Sequence, residues 1–387
     1  MRSVELFSGC GGLAMGLSRA GFRHDLMVEW NDDAVMTVLR NKTNGVFHVR
    51  DWPILKADVR DIDWKSFLGS LALVAGGPPC QPFSIGGKHK GYNDARDMWP
   101  PAILAVRKSK PNAFLFENVQ GLTRKAFSDY LAWIVSSLSR PSIQRKEGES
   151  YFDHLNRLRR SKSKIEYKVI VAKVNAADFG APQKRHRVIV AGIRNDLVGE
   201  LAAPTPTHSR ERLLWDQWVS GDYWRKHGMA RPDDLMISRP DRALVKRLRK
   251  SEKCPPDMPW VTVRDALSGL GSPTGHSNHT LQAGARAYQG HTGSPMDMPA
   301  KALKAGDHGV PGGENMMIQD EGAVRYFTIR EAARLQGLPD DYTFPGSWTE
   351  SMRQLGNAVP VQLGEAIGIW MASTLRQTAV DMNRRAA

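Results

Sequence analysis

Residues 71–84 read LALVAGGPPCQPFS, an apolar run that leads into a turn containing Cys80. The glycines allow close backbone approach, and the three prolines fix φ on both sides of the cysteine. The pattern predicts a strand over Leu71–Ala75 and a turn that holds one thiol still beyond its end, where α/β folds place their chemistry. A lone cysteine is more often a small buried hydrophobe. Prolines and glycines argue against a core position, so this stretch alone leaves a nucleophile and a core residue equally open.

Short apolar strands alternate with helical patterns on both sides of this turn. Predicted strands are Val4–Phe7, Leu26–Val28, an edge ending near Asp58, Leu71–Ala75, Ala113–Phe116, Tyr167–Val174 and Arg187–Ile193. Predicted helices are Leu13–Ala20, Asp32–Arg40, Met98–Lys108, Phe127–Leu138, Thr328–Gly337 with a Thr cap, and Val361–Leu375. This alternation indicates an α/β fold with a parallel sheet and crossover connections.

The regular alternation stops between about Ala203 and Tyr326. This segment is rich in Pro, Gly, His, Trp and Arg, and it lacks sustained periodicity. Long irregular segments are usually functional or disordered, and the scattered tryptophans favour order here. We therefore predict a catalytic domain of residues 1–202 plus 353–387 and a smaller, largely irregular inserted domain of residues 203–352.

Composition narrows the class of protein. The chain of 387 residues carries a formal net charge of +14, which favours a polyanionic partner, although a soluble protein can simply be basic. Three scattered cysteines are too few for a disulfide framework or a zinc site, so no metal is expected. No apolar run is long enough to span a bilayer, and no signal-peptide pattern follows Met1. We expect a cytoplasmic protein without a membrane partner.

Three features at the ends of early strands suggest a ligand site. Phe7-Ser8-Gly9-Cys10-Gly11-Gly12 is a glycine loop that opens a helix, the second strand ends in Glu29-Trp30, and Asp58 closes a third edge. Each is weak alone, since either carboxylate could lie on the surface. Together they describe a nucleoside-containing ligand without a phosphate clamp, because an acid after the second strand can bind a ribose. S-adenosylmethionine fits this description.

Six ordered blocks resemble the DNA cytosine-5 methyltransferases of bacterial and phage restriction-modification type. They are Phe7–Leu13, Gly76–Ser84, Glu117–Val119, Gln183–Arg187, Tyr326–Asp340 and Gly356–Val361, and they span nearly the whole chain. The resemblance implies a Rossmann-like sheet that binds S-adenosylmethionine, with an inserted target-recognition domain. It further implies methylation of carbon 5 of cytosine in a short sequence of double-stranded DNA, as a solitary methylase or beside a restriction endonuclease. A monomer on the DNA is the default expectation.

The candidate catalytic residues make chemical sense in this light. Carbon 5 of cytosine is a poor nucleophile until a thiolate adds to carbon 6, which is the role of Cys80. Glu117 would donate a proton or hydrogen bond at ring nitrogen 3, with Asn118 as an orienting partner. Because Arg185 and Arg187 are two residues apart on a predicted strand, they should share a face. The resemblance implies that Arg187 binds the base carbonyl and steadies Glu117, with Arg185 alongside; solvent or phosphate contact is the alternative.

The remaining expectations concern the cofactor and the DNA. The resemblance assigns cofactor contacts to Phe7, Gly9, Gly11, Gly12, Leu13, Glu29, Trp30, Asp58, Val59, Pro78, Asn357 and Val359. The target base must leave the helix, and the glycine-rich loop Ile85–Tyr92 is predicted to close over it. Candidate base-reading residues are Arg231, Arg239, Arg242, Gln282, Arg286, Gln289 and Asn315.

Two departures from the family pattern stand out. The basic stretch Arg140–Lys164 is an apparent insertion, interpreted either as a solvated helix face or as a phosphate contact. A shortened run before Trp99 leaves either Met98 or Trp99 to pack on the cofactor. Two alternatives to the assigned activity also remain: an RNA cytosine-5 methyltransferase, and a DNA-binding relative that has lost catalysis. Retention of the thiol, the acid and both arginines argues against the second.

Overall fold

A seven-stranded sheet forms the centre of the computed structural model, which describes residues 1–79, 97–273, 275–289, 292–305 and 315–386, with side chains to residue 377. Its order is β3-β2-β1-β4-β5-β8-β6. The strands are β1 Arg2–Leu6, β2 Arg23–Glu29, β3 Ile54–Lys56, β4 Leu73–Gly76, β5 Ala113–Val119, β6 Tyr167–Asn175 and β8 His186–Arg194, with the short β7 Gln183–Lys184 outside this sheet. Every predicted strand is present, with boundaries shifted by a few residues.

The first five strands of the sheet are parallel, as predicted, but the last two pairings are not. β8 runs antiparallel to both β5 and β6 and lies between them. The reason is the short connection between β6 and β8, which holds only the 3-10 turn Ala176–Phe179 and β7. A parallel neighbour needs a crossover of a dozen or more residues, usually a helix, whereas a short connection returns the chain antiparallel.

Helices cover both faces of the sheet. They are α1 Gly12–Arg19, α2 Asp32–Thr43, α3 Trp99–Ser109, α4 Ser128–Ser139, α5 Tyr151–Arg160, α6 Arg210–Trp218, α7 Asp222–Lys226, α8 Arg239–Ser251, α9 Val263–Leu267, α10 Ile329–Leu335, α11 Trp348–Asn357 and α12 Val361–Ala386. Alternate strand residues face opposite sides: Val74 packs toward α3, α4 and α5, whereas Leu73 and Ala75 pack toward α1 and α12. The sheet is therefore a buried middle layer.

The inserted segment is more regular than predicted. Its described residues form α6 to α9 and six short strands: β9 His208–Ser209, β10 Met258–Pro259, β11 Ser294–Pro295, β12 Ala300–Lys301, β13 Met316–Ile318 and β14 Val324–Tyr326. Helices α6, α7 and α8 share a separate apolar core that includes Leu213, Trp224 and Leu248. Dense arginines and lysines hid the helical period of α8 from sequence inspection, because few of its residues are apolar.

A second core joins the inserted segment to the catalytic sheet. Met15 and Trp52 pack there with Leu303 and Phe327. The helix predicted over Thr328–Gly337 is α10, and its Thr cap is part of a complete capping box with Glu331. No helix within the described ranges is both long and apolar enough to cross a membrane.

A candidate active-site cleft

A cleft of about 1500 Å³ opens at the carboxyl ends of the parallel strands. Ligands in open α/β sheets bind at this edge, because the loops that follow neighbouring strands converge there. Strands β1, β2, β4 and β5 contribute one wall, and the segments around residues 302–305 and 353–359 contribute the other. Most of the predicted site residues thus meet in one cavity.

The turn that carries the predicted nucleophile starts at the floor of this cleft. Cys80 and the loop Ile85–Tyr92 lie outside the described residues, whereas Gly77, Pro78 and Pro79 line the cavity. A Cβ on Gly76 would lie 2.4 Å from the carbonyl oxygen of Leu6, so only glycine permits this approach of β4 to β1. A Cβ on Gly77 would lie 3.5 Å from Oε2 of Glu117. The turn therefore begins beside the predicted acid.

Glu117 and Arg187 form an ion pair at the same place. Nε of Arg187 lies 2.5 Å from Oε1 of Glu117, and both side chains are largely buried, with 14% and 12% of their area exposed. The antiparallel pairing of β5 with β8 causes this contact, since Val119 lies opposite Arg187 and Glu117 opposite Ile189. A charge-assisted hydrogen bond in a sheltered site fixes the carboxylate in one orientation.

Arg185 occupies a different environment from the one predicted. It falls between β7 and β8, and its guanidinium is buried, donating to the carbonyl oxygens of Leu303 at 2.9 Å and Gly356 at 2.6 Å. Burial lowers the pKa of Arg185 well below its ordinary value, and the neighbouring Arg187 acts in the same direction. Arg185 therefore holds the two walls of the cleft together, rather than sharing a strand face with Arg187.

Asn118 also differs from the prediction that it orients Glu117. Its Nδ2 donates to the carbonyl oxygen of Pro78 at 3.0 Å, and its Oδ1 accepts from the backbone N–H of Val119 at 2.9 Å. Asn118 is almost fully buried. Its amide thus ties the strand that carries Glu117 to the turn that leads to Cys80.

Glu29 organises the glycine loop at the other end of the cleft. Its carboxylate accepts from the backbone N–H groups of Gly9 at 2.8 Å, Trp30 at 3.0 Å and Asn31 at 2.9 Å. Phe7, which lines the cleft, has a φ of +57°, a sparsely populated conformation for a non-glycine residue that is typical of functional loops. The Glu29 carboxylate therefore holds the loop in shape.

The remaining cofactor candidates divide into cleft residues and supporting residues. Gly9, Gly12, Leu13, Trp30, Val59, Pro78, Asn357 and Val359 line the cavity, and Trp30 is 72% exposed. Gly12 lets helix α1 abut the opposite wall, because a Cβ there would lie 2.3 Å from the carbonyl oxygen of Val359. Gly11 instead packs under Trp52, where a Cβ would lie 2.5 Å from the ring.

Asp58 reaches the cleft with a partner of its own. Arg60 donates to both carboxylate oxygens, from Nε at 2.9 Å and from Nη2 at 2.5 Å. This hydrogen bonding lowers the pKa of Asp58 below its ordinary value, so the group is ionised at neutral pH. An ionised carboxylate can still accept a further hydrogen bond from an exocyclic amine.

Glu5 is a cleft residue that the sequence analysis missed. It is 1% exposed, it lines the cavity, and its Oε2 has no hydrogen-bond partner among the described residues. Burial raises the pKa of Glu5 well above its ordinary value. A lone acid within the apolar strand Val4–Phe7 was the available signal. Burial favours the neutral form of Glu5, whereas a positive charge on a ligand would favour the ionised, accepting form. Together with Glu29, Asp58 and the exposed ring of Trp30, this site fits a cationic ligand that contains a nucleoside.

The other cysteines are poor nucleophile candidates. Cys10 is buried, its Sγ lies 3.7 Å from the carbonyl oxygen of Gln354, and burial raises its pKa to about 12. A thiol of that pKa stays protonated and unreactive near neutrality. Cys254 is exposed and lies after α8 in the inserted segment. No cluster of His, Cys, Asp or Glu able to hold a metal occurs in the searched, described residues.

The structure also separates the ambiguous and base-reading candidates. Met98 lines the cleft, whereas Trp99 is fully buried in the core below it. Asn315 is fully buried and exchanges two 2.9 Å hydrogen bonds with the backbone of Lys304, so it supports the cleft wall and is not available to DNA in this structure. Exposed side chains among the candidates belong to Arg231, Arg239, Arg242, Gln282, Arg286 and Gln289.

Known proteins resemble this chain over nearly its full length. The sequence pattern of the family described as C-5 cytosine-specific DNA methylase matches residues 1–141 and 145–372. The Type II methyltransferase M.PspPI of Psychrobacter sp. is 30% identical, covering 94% of this chain and 77% of its own length. M.NgoMIV of Neisseria gonorrhoeae is 26% identical, covering 97% and 98% respectively.

A solved structure extends the likeness to the fold. The Dnmt2 methyltransferase of S. pombe superposes with a TM-score of 0.56 at 19% sequence identity, covering 97% of this chain and 99% of its own. At that identity the likeness concerns the architecture alone. The sheet, the helices around it and the inserted segment thus form an arrangement already seen in a methyltransferase.

Proposed function

Because the chain belongs to the C-5 cytosine-specific DNA methylases, we propose that it modifies cytosine within a short specific sequence of duplex DNA, with Cys80, Glu117 and Arg187 as the residues in contact with the base. The observation that carries this assignment is the buried ion pair between Glu117 and Arg187, next to the first residues of the cysteine turn. Glu117, Arg187 and the residues just before Cys80 (Gly77, Pro78 and Pro79) line one cavity, and its volume of about 1500 Å³ would hold a nucleotide and a cofactor together.

The thiolate of Cys80 forms a bond to carbon 6 of the flipped cytosine, and electrons move toward ring nitrogen 3 and carbon 5. Glu117, in its protonated form, donates its proton or a hydrogen bond to nitrogen 3, so negative charge does not build up on the ring, and Arg187 then pairs with the resulting carboxylate. Arg187 steadies Glu117 and donates to the base carbonyl. Once carbon 5 carries the methyl group, a base such as a solvent hydroxide removes its proton, the electron pair re-forms the double bond between carbons 5 and 6, and sulfur leaves carbon 6 as the Cys80 thiolate.

S-adenosylmethionine, the methyl donor used in this family, supplies an electrophilic methyl group when bound. We assign its adenine, ribose and amino-acid portions to the cleft between Trp30 and the glycine loop. Glu29 and Asp58 are the acceptors for the nucleoside, and Met98 contributes apolar contact. Glu5 offers a buried acceptor to a positively charged part of the ligand, and Arg185 keeps the two cleft walls in register without touching the base.

The wider setting follows from the relatives. The curated relatives described above are named Type II methyltransferases, so we infer a restriction-modification context, with a restriction endonuclease as a functional partner. We further propose that the protein acts in the bacterial cytoplasm, binds DNA as a monomer and needs no metal. Residues 1–202 with 353–387 serve as the catalytic unit, and residues 203–352 serve as the target-recognition unit.

Covalent trapping tests the thiol assignment directly. A duplex with 5-fluorocytosine at the target position should form a denaturant-resistant complex with the wild-type protein, because fluorine cannot leave carbon 5 as a proton does. Cys80→Ala should form no complex and transfer no methyl group, while still binding the duplex. Cys254→Ala is the matched control and should behave as wild type. Turnover by Cys80→Ala would overturn the assignment.

The substrate is tested by bisulfite sequencing of DNA from cells that express the chain. We expect fully methylated cytosines at one short recurrent sequence. Methyl transfer to purified duplex DNA and to tRNA should then be compared with the same preparation, because an RNA cytosine-5 methyltransferase would share the thiol chemistry. Transfer to tRNA alone would contradict the proposed DNA substrate.

A further inference from the structure

Two apolar side chains project from the inserted segment next to its most basic helix. Leu235 and Met236 are 80% and 73% exposed, the highest values among the large hydrophobic residues of the described ranges. They lie in a 3-10 turn, Asp234–Met236, immediately before α8. Single exposed hydrophobic residues are common on proteins, but an adjacent pair at this exposure calls for a partner surface.

This turn is held in place by α8. Arg242 donates from Nε to the carbonyl oxygen of Ile237 at 3.1 Å and from Nη2 to that of Leu235 at 3.3 Å. Arg249, two helical turns further on, donates to Asp234 at 2.6 Å and 2.9 Å. Arg242 and Arg231 were predicted to read bases, but both contact this turn instead. Arg242 bonds to its backbone, and Arg231 forms an ion pair with Asp234. The backbone that carries the apolar pair is thus fixed to α8, which limits the backbone entropy lost on binding.

A stripe of positive charge runs along α8 beside the turn. Arg239, Lys246 and Lys250 are spaced by seven and four residues, so they share one helix face, opposite the buried Val245 and Leu248. All three side chains are exposed. Within the described residues, none of these three cations has a carboxylate partner, in contrast to Arg249. Unneutralised cations in a row at helical spacing suit the phosphates of a nucleic acid backbone.

The start of α8 lies close to the active-site cleft. Asp241, in its first turn, forms an ion pair with Arg210. Burial lowers the pKa of Lys184, and both groups act electrostatically on this lysine: Arg210 lowers its pKa further and Asp241 raises it. Lys184 in β7 and Lys301 in β12 lie opposite each other in a two-stranded parallel sheet. The next residues along the chain, Arg185 and Ala302, line the cleft. The first turn of α8 is therefore linked, through Arg210 and Lys184, to the segment that lines the cavity.

We propose that α8 and the turn before it form one DNA-contact surface. Arg239, Lys246 and Lys250 bind phosphates of the substrate duplex next to the target cytosine, while Leu235 and Met236 enter a groove and contact the bases. Apolar side chains discriminate bases through the thymine methyl group or by wedging between base steps, and neighbouring cations fix their register. This inference rests on the proposed DNA substrate, and it assigns sequence reading to residues that carry no hydrogen-bonding side chain.

The basic stretch Arg140–Lys164 provides a matched control of similar charge. Tyr151 at the start of α5 stacks edge-on to Tyr130 at the start of α4, with ring centroids 5.4 Å apart. Arg140, which follows α4, donates to the carbonyl oxygen of Ser163 beyond the end of α5 at 3.1 Å. The two helices therefore run side by side in the same direction. The exposed Arg159 and Arg160, at the end of α5, lie beside the end of α4. Because α4 starts near the end of β5 that carries Glu117, these arginines are remote from Glu117.

The phosphate contacts are tested by the salt dependence of binding. Affinity for a duplex that contains the sequence identified by bisulfite sequencing is measured by fluorescence anisotropy between 50 and 300 mM salt. The triple variant R239Q/K246Q/K250Q should lower the slope of log Kd against log salt by about 2 to 3, since each lost phosphate contact removes about 0.9. R159Q/R160Q/K162Q, equal in charge, should keep the wild-type slope. An unchanged slope in the α8 variant would overturn the phosphate role.

The base contacts are tested by the ratio of affinities for the target duplex and a scrambled duplex. L235S/M236S should reduce this ratio by about tenfold, the range expected for loss of one base-pair contact, with the salt slope unchanged. Phe152→Ser, which removes a similarly exposed apolar residue from α5, should leave the ratio as in wild type. A wild-type ratio in L235S/M236S would overturn the reading role. Should the wild-type protein methylate no DNA at all, the proposed function itself would fail instead.

Discussion

At the scale of single residues, specific side-chain contacts orient the predicted reacting groups. Among the described residues, Glu117 forms an ion pair with Arg187, and the amide of Asn118 bonds to Pro78 in the segment that leads to Cys80. Both contacts come from backbone pairing of neighbouring strands, which is a rigid support. The sequence pointed to Glu117 and Arg187, but Asn118 was assigned the wrong partner, because residue spacing gives no information on which backbone carbonyl lies nearby.

Glu117→Gln should lower the rate of methyl transfer by about 10² to 10⁴, the range for a lost general acid. Affinity for S-adenosylhomocysteine should change by less than about threefold, because the cofactor acceptors lie elsewhere in the cleft. Single-turnover kinetics and calorimetric titration measure the two quantities. A variant that loses thermal stability in step with its rate would indicate a structural role only.

Acid should destabilise the protein through His24. Burial lowers the pKa of this residue to about 4, and its ring lies 3.1 Å from both the Ser3 hydroxyl and the Ala14 carbonyl oxygen. Since the Ala14 carbonyl can only accept, Nε2 carries the proton, and Nδ1 of the neutral ring lies beside the Ser3 hydroxyl, which donates to the carbonyl oxygen of Arg23. The unfolded chain binds a proton near pH 6.5, so stability present above that pH is lost as pH falls toward 4.

The expected loss is up to about 3 kcal/mol, from a difference of roughly 2.5 pKa units. Urea unfolding at pH 7, 5.5 and 4.5 measures it in wild type and in His24→Gln. The variant starts less stable and should lose less stability over the same range. Parallel pH profiles for the two proteins would exclude His24 as the titrating group.

At the scale of elements, close packing of glycines sets the position of the cofactor loop. Gly16 in α1 faces α12, and a Cβ there would lie 2.5 Å from the backbone nitrogen of Glu365. α1 starts where the glycine loop ends, so any shift of this helix moves the loop. The sequence showed both helices, but it could not show that their backbones touch, because a helical glycine is also common where nothing packs on it.

Gly16→Ala should therefore separate α1 from α12 and destabilise the protein by about 1 to 3 kcal/mol, the usual range for overpacking. Affinity for S-adenosylhomocysteine should fall as well. Gly199→Ala is the control, because nothing lies within 4 Å of a Cβ at that position. Differential scanning fluorimetry with and without S-adenosylhomocysteine measures both effects, and a wild-type melting temperature for Gly16→Ala would contradict the packing argument.

Sequence reasoning was strongest where a hydrophobic period and a boundary residue coincide, as in the strand β4, which ends at Gly76, and in the helix α10, which is capped by Thr328. It was weaker where a contact depends on distant segments. The antiparallel place of β8 and the anchoring of Arg185 by Leu303 and Gly356 both come from chain connections that no local pattern encodes. α8 was missed because its exposed face is charged throughout and its buried face is narrow.

At the scale of the whole molecule, the inserted segment has two kinds of attachment. Helices α6 to α8 have their own core, whereas residues such as Leu303 and Phe327 share a core with α1 and α2. The predicted boundary at residue 203 therefore precedes both the separate core of α6 to α8 and the residues that share a core with α1 and α2. Residues such as Leu303 and Phe327, well before residue 352, are already buried in the core that includes α1 and α2.

This division predicts two different deletion results. Replacing residues 210–257 with a short Gly-Ser linker should leave a folded protein that binds S-adenosylhomocysteine but not DNA, because β9 and β10 already lie side by side. Replacing residues 203–352 should give an insoluble product, since it exposes the shared core. Circular dichroism, solubility and calorimetric titration distinguish these outcomes, and a soluble, ligand-binding product of the longer deletion would show that the shared core is dispensable.

The separate apolar core of α6, α7 and α8 has a consequence for how such enzymes diversify. A segment that packs around an apolar centre of its own, and whose two ends are joined to the adjacent strands β9 and β10, can be replaced as one unit. An enzyme that received such a segment would then modify a different site on the chromosome, while its reaction chemistry stayed the same.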